Sequence, residues 1–237
     1  MSIADLKQIT ELFHGRVLTE PVSIQEKLFK AKAYVFDWDG VFNNGAKNEN
    51  GSSPFSEVDS MGINMLRFNH YLRKHQNPVT AIITGEQNNT AYMFAKREHF
   101  HAVYYGIKNK KDALMHLCSA HNIEPHDVVY FFDDVLDLSI AEICGLRMMI
   151  GNSASPLLRQ LAQERKLADY ITAADANHNA LREAMELLMG YSGRFDDAIL
   201  QRVHYSDNYN EYINARNIPE PSFFTHIASK ITEQTPQ

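Results

Sequence analysis

A chain of 237 residues that is 44% apolar and 11% aromatic can bury a core large enough for one large or two small domains. Its net charge of −6 argues against a nucleic-acid-binding surface, and no run approaches the roughly 18 apolar residues of a membrane span. The two cysteines, Cys118 and Cys144, make neither a disulfide framework nor a metal-ligand pattern, which fits a reducing, cytoplasmic compartment.

Apolar residues at Ile3, Leu6, Ile9, Leu12 and Phe13 recur at helical spacing, with Gly15 as a stop. No apolar signal-peptide segment is expected here, because Asp5, Lys7 and Glu11 interrupt it. A second short helix is expected from Ser23, as N-cap, to about Phe29. Residues 1–30 therefore read as a helical extension, a packing or oligomer element.

Tyr34-Val35-Phe36-Asp37-Trp38-Asp39-Gly40 is a short apolar run that ends in two carboxylates. Such a run predicts a buried parallel strand, whose carboxyl end is where open α/β sheets place their chemistry. Residues i and i+2 of a strand point the same way, so Asp37 and Asp39 are expected to face one pocket. Two carboxylates that close repel unless a cation screens them, and a hard cation with oxygen ligands, Mg²⁺, is the simplest account. A solvated polar strand end is the plainer alternative. Asn50-Gly51 is a turn signal, and a β-hairpin is expected over 46–59, followed by a helix over 61–74.

Val79 to Ile83 is a second strand, ending at Thr84-Gly85. A hydroxyl and free N–H groups at that place can hold a phosphate oxygen, or Thr84 can cap the helix expected over 88–99. A third strand over 102–105 leads to Lys108, Lys110 and Lys111 ahead of an amphipathic helix; a lysine at this junction reaches a phosphate or an aspartate, or is solvated. Asp127 to Phe132 is a fourth strand, and Asp133-Asp134-Val135-Leu136-Asp137 sits at its end. Crowding that many acids is costly without a cation. A short helix over 138–144, a strand over 146–150, a helix over 156–163, a strand at Tyr170-Ile171 and a helix over 180–189 continue the alternation, which predicts a doubly wound parallel sheet. From Gly190 the chain turns polar; residues 190–237 read as an appended helix and a loosely ordered tail.

These strand ends supply what phosphoester hydrolysis needs. Asp37 suits the nucleophile, Asp39 the acid/base, Thr84 and a lysine the phosphate donors, and Asp133 a metal ligand. Asp37-Trp38-Asp39-Gly40, Thr84-Gly85, the Lys110 region and Asp133 to Asp137 resemble, in that order, the four motifs of the haloacid dehalogenase superfamily. The resemblance covers residues 31–189 and is closest to its small capless sugar-acid phosphatases.

The resemblance implies a Rossmann-type sheet with a β-hairpin after the first strand and no large cap domain. It implies Mg²⁺ held by Asp37, Asp39 and Asp133, with Asp137 in a supporting place in the metal set. Lys110 is implied as the phosphate-side lysine, with Lys111 its nearest rival; Thr84, Gly85, Lys110 and Asn43 are implied as substrate-binding. It further implies a homo-oligomer, commonly a tetramer, acting on a small phosphorylated sugar or sugar acid. Three positions depart from the family pattern: Glu86 and Val58 stand where arginines are usual, and Asn43-Asn44-Gly45 replaces Thr-Asp-Gly. The alternative function is a catalytically silent relative kept as an oligomeric or regulatory binding protein.

Overall fold

A computed structural model describes residues 2–228 and 230–236. Met1, Ser229 and Gln237, which belong to the expected terminal segments, lie outside the described residues. The helices are α1 (Ile3–Thr10), α2 (Pro21–Lys30), α3 (Glu57–Lys74), α4 (Asn89–Arg97), α5 (Lys110–His121), α6 (Leu138–Ala141), α7 (Pro156–Glu164), α8 (Ala180–Ser192), α9 (Phe195–Val203) and α10 (Asp207–Arg216). The strands are β1 (Arg16–Val17), β2 (Ala33–Phe36), β3 (Val79–Ile83), β4 (Ala102–Tyr104), β5 (Val128–Phe132), β6 (Leu146–Met149), β7 (Tyr170–Ile171), β8 (Ser222–Ile227) and β9 (Lys230–Glu233).

All nine described strands join one sheet in the order β1-β7-β6-β5-β2-β3-β4-β8-β9. The strands from β7 to β8 pair in parallel, and only β1 and β9, at the two edges, run antiparallel. The doubly wound parallel sheet is thus present. Strand alternation feeds two cores: Tyr34, Phe36, Ile82 and Phe131 face one side, while Val35, Ile83, Tyr130 and Phe132 face the other. Helices α2, α3, α4 and α8 cover the first face, and α5, α6 and α7 the second. The chain leaves β2 toward β3 on one side and reaches β5 on the other, so the topological switch point lies between β2 and β5.

The expected hairpin over 46–59 is not formed. Asn48 closes a local turn instead: its Oδ1 accepts from Asn50 N and Ser52 N, both at 3.0 Å. Side-chain capping of this kind competes with a strand ladder. Ser52 and Ser53 are buried, so the segment folds back onto the sheet edge rather than projecting. Ser56 then caps α3, accepting from Val58 N at 3.1 Å, and the helix begins at Glu57 rather than Met61. Likewise α2 begins at Pro21, which suits the first helical position, so Ser23 is not its cap.

The C-terminal region differs from its polar reading in two ways. A left-handed Tyr205 (φ 48°) and a capping Ser206 divide it into α9 and α10. The tail then forms β8 and β9. Phe224 stacks on Tyr104 at 5.0 Å and Phe223 meets Tyr92 edge-on at 5.7 Å, which places apolar side chains on both faces of β8. At the other edge, the fully buried Asp169 receives Arg147 Nε at 2.8 Å, Lys27 Nζ at 2.6 Å and Thr19 Oγ1 at 2.7 Å. That charge cluster ties the N-terminal helices to β6 and β7, beside an edge strand β1 that the sequence did not announce.

Two histidines in this frame are built to stay neutral. Thr80 N donates to His101 Nδ1 at 3.0 Å, and burial, then the charge on Arg67 and His121, lowers the ring to about 4. Burial, then Arg73 and Lys74, lowers His70 to about 3; its Nδ1 lies 3.2 Å from the Tyr34 hydroxyl. A depressed histidine pKa means that the unfolded chain takes up protons first, so stability is full above about pH 6.5 and falls as the pH drops below it. Urea unfolding should lose about 1.4 kcal/mol per pH unit for each histidine in that acid range. His101→Asn, which keeps an acceptor for Thr80 N, should flatten the profile; a variant with the parent's slope would refute this account.

Candidate active site

The carboxyl ends of β2, β3 and β5 meet at the switch point. Beyond Phe36 the backbone turns sharply, because Trp38 C=O accepts from both Val41 N and Phe42 N at 3.2 and 3.0 Å. Trp38 is wholly buried and stacks on Phe42 at 4.4 Å, which anchors the odd residue inward and leaves Asp37 and Asp39 lining the same cleft. Gly40 adopts φ +87°, and a Cβ there would sit 2.0 Å from Asp133 Oδ2. Only glycine lets the first acidic loop close on the second. The resulting cleft has a volume of about 800 Å³.

Lys110, the first residue of α5, is the electrostatic centre of that cleft. Its Nζ lies 2.7 Å from Asp37 Oδ1 and 2.6 Å from Asp137 Oδ1, and the side chain is 3% exposed. Burial alone would discharge an ammonium, but the Asp37 and Asp137 carboxylates outweigh it and hold the lysine charged. Asp137 is engaged on all sides: Tyr130 OH donates to Oδ1 at 2.5 Å, and Asp134 N and Asp133 N donate to Oδ2 at 3.1 and 3.4 Å.

The acid balance is still unfavourable. Burial first, then the neighbouring carboxylates, pushes Asp37 and Asp133 well above the usual carboxylate range. Oxygens of Asp37, Asp133 and Asp137 lie within 4.8 Å of one another, and Asp133 Oδ1 is buried with no hydrogen-bond partner among the described residues. One lysine does not neutralise three carboxylates. An oxygen-only donor set with an unsatisfied buried oxygen is what a hard divalent cation takes, and it fits Mg²⁺.

Of the residues singled out in the sequence, Asp37, Asp39, Thr84, Gly85, Lys110, Asp133 and Asp137 all line this cleft. Lys110 and not Lys111 is the buried lysine. Thr84 does not cap the following helix: Asn88 does, its Oδ1 accepting from Thr90 N and Ala91 N at 3.1 and 3.3 Å. Asn43 is the exception. It is buried outside the cleft, Nδ2 donating to Pro54 O at 2.9 Å and Oδ1 accepting from Gly45 N at 2.8 Å, so its amide holds the loop rather than facing a substrate.

Several residues at the site were not foreseen. Asp39 Oδ1 accepts from Ser53 Oγ and Oδ2 pairs with Lys47 Nζ. Asn88 Nδ2 in turn donates to Ser53 Oγ at 2.7 Å. Lys47 and Ser53 lie in the segment misread as a hairpin, and no local pattern marks them. Tyr130 could have been found: alternation puts it on the β5 face shared with Phe132, below the acidic loop.

No family model matches the chain. It is 28% identical over 189 residues to the 3-deoxy-D-manno-octulosonate 8-phosphate phosphatase of Salmonella typhi, an alignment covering 77% of this chain and 93% of that one. The enzyme of the same name from Escherichia coli K12 is 26% identical over 194 residues, covering 80% and 94%. Among solved structures, the 3-deoxy-D-manno-octulosonate 8-phosphate phosphatase from Moraxella catarrhalis, in complex with magnesium, phosphate and KDO, superposes with a TM-score of 0.63 at 26% identity. It covers 76% of this chain and 97% of its own. With the acidic strand ends, the buried lysine and the parallel sheet already placed, these likenesses identify the chain as a phosphatase that resembles 3-deoxy-D-manno-octulosonate 8-phosphate phosphatase and shares the fold of haloacid dehalogenase hydrolases.

Proposed function

We propose that the protein hydrolyses the phosphoester of a small phosphorylated metabolite, a sugar or sugar-acid phosphate, through a phospho-aspartate. The observation that carries this reading is Asp37 and Asp133 crowded at the switch point, with Lys110 between Asp37 and Asp137. Asp37 is the nucleophile: Lys110 holds its Oδ1, and Oδ2 attacks phosphorus while the phosphorus–alcohol bond breaks. Asp39 gives its proton to the departing alkoxide, then takes one from the water that cleaves the aspartyl phosphate and restores Asp37. Thr84 Oγ, the N–H groups around Gly85 and Lys110 hold the phosphoryl oxygens. Asp37, the Asp39 backbone carbonyl and Asp133 would hold Mg²⁺, with Asp137 supporting them; the ion supplies charge screening between carboxylate and phosphate.

Ser53 and Lys47 orient the Asp39 carboxylate, and Lys47 must release Asp39 for it to carry a proton. Every residue given a role lies within 31–189, the proposed catalytic unit, with 1–30 and 190–237 as extensions. A homotetramer in the cytoplasm completes the proposal on the strength of the family resemblance. Light scattering at four times the 27.1 kDa chain mass supports that assembly, and a monomer mass refutes it.

Hydrolysis of p-nitrophenyl phosphate tests the chemistry. Turnover should require Mg²⁺ and fall by about 10³-fold or more in Asp37→Asn; no turnover in the parent would instead favour the silent binding protein. Ser53→Ala should lower kcat about tenfold or more for an alkyl phosphate, whose leaving group needs the proton, and much less for the aryl ester. Equal losses on both esters would show that Ser53 does not act through Asp39.

A further inference from the structure

A second cleft opens on the same sheet edge, with a volume of about 470 Å³. Asp39, Asp133 and Asp134 line both clefts, so the two meet at the reaction centre. Their chemistry differs. The first holds Thr84, Gly85, Lys108 and Lys110, the donors and cations that suit a phosphoryl group. The second adds Asn44, Asn152, Asp175 and Asn177, over a floor at Gly151 where a Cβ would meet Thr172 O at 2.2 Å. Among the described residues no lysine or arginine lines it.

The polar groups of this second cleft are largely available. The amides of Asn44 and Asn152 each accept a backbone N–H through Oδ1, at 3.0 Å from Ala46 and 2.9 Å from Ala154. Their Nδ2 groups, and the Asn177 amide, carry no hydrogen bond among the described residues. Asp175 binds His178 Nδ1 and Asn177 N through Oδ1 alone. Asp133, whose Oδ1 has no partner among the described residues and is given to the cation, stands in the wall the two clefts share, so the acceptors left to a ligand are Asp134 and the free oxygen of Asp175. The lining therefore offers amide donors and carboxylate acceptors, a pairing that hydroxyl groups satisfy in both directions. Away from the shared wall, where Lys47 pairs with Asp39 and Asp133 would hold the ion, a carboxylate entering here would meet Asp134 and Asp175 with no lysine or arginine among the described lining residues.

We propose that the second cleft receives the alcohol half of the phosphoester and selects a polyol or sugar phosphate without a carboxylate. This rests on the phosphatase reading above and narrows it, away from the sugar acid in its relatives' names. Asp39, at the boundary, then stands beside the bond that breaks, with phosphate on one side and alcohol on the other. Asp175, Asn152, Asn44 and Asn177 become the residues that determine specificity.

The test uses the full chain with Mg²⁺ on glucose 6-phosphate, 6-phosphogluconate, 3-deoxy-D-manno-octulosonate 8-phosphate and p-nitrophenyl phosphate. The expected kcat/KM for glucose 6-phosphate exceeds that for either carboxylated ester by about tenfold or more. Asn152→Lys, which gives a carboxylate a counter-ion, should lower that ratio about tenfold, and Asp175→Asn should lower it as well. A gain on the carboxylated esters cannot arise from misfolding. Preference of the parent for a carboxylated ester, a ratio unmoved in both variants, or turnover of p-nitrophenyl phosphate alone would overturn the inference and leave the phosphatase reading standing. No turnover of any ester, the aryl phosphate included, would overturn the phosphatase reading and this inference with it.

Discussion

A buried ammonium held between two carboxylates organises this molecule. Lys110 starts α5, Asp37 ends the strand at the centre of the sheet, and Asp137 follows the loop after β5; the three come from separate parts of the chain and meet where water is largely excluded. An unpaired charge in such a place is costly, and a pair repays its desolvation only with full hydrogen bonding. Asp137 meets that condition through Tyr130 and two backbone N–H groups. Asp133 does not, and its Oδ1, unpartnered among the described residues, is the reason the site calls for a divalent cation from outside. The built-in cation fixes the geometry of the Asp37 carboxylate, and the added one completes the charge balance.

The same crowding explains the glycine at position 40. Two acidic loops must approach closely to share an ion, and side-chain volume between them would prevent it. Beside them, the loop over 46–59 gains its function from the shape it takes. Because Asn48 closes it locally, Ser53 reaches Asp39 while its own hydroxyl is fixed by Asn88 at the start of α4. The loop thus connects the helix that follows β3 to the carboxylate that follows β2, adding side-chain ties beyond the ladder that pairs the two strands.

The peripheral segments complete the sheet instead of forming separate layers. β1 covers one edge and the β8–β9 pair the other, each turning antiparallel to close the row of parallel strands. Asp169 anchors the first of these through three cationic or hydroxyl partners, and aromatic stacking on Tyr104 anchors the second. An exposed edge invites pairing with another chain, and both of its parallel edges are covered in this way.

Local sequence carried much of the site. The runs ending at Asp37, Thr84 and Asp133 were legible as buried strands because apolar, β-branched and aromatic residues stop abruptly at polar ones; strand alternation predicted Asp37 and Asp39 on one side, and the turn beyond Phe36 is what brings them to one cleft. The β/α alternation likewise announced the doubly wound sheet. Tertiary structure decided the rest. Which lysine is buried depends on how α5 seats on the sheet, which turns Lys110 toward Asp37 and Asp137 and leaves Lys111 exposed. Asn43 looked available until the backbone of its own loop took its amide. The tail's Pro, Ser, Thr and Gln suggested looseness, yet Phe223 and Phe224 found Tyr92 and Tyr104 across more than a hundred residues. Composition reports what a segment can do alone, whereas these choices were made by partners distant in sequence, whose contacts no local pattern contains.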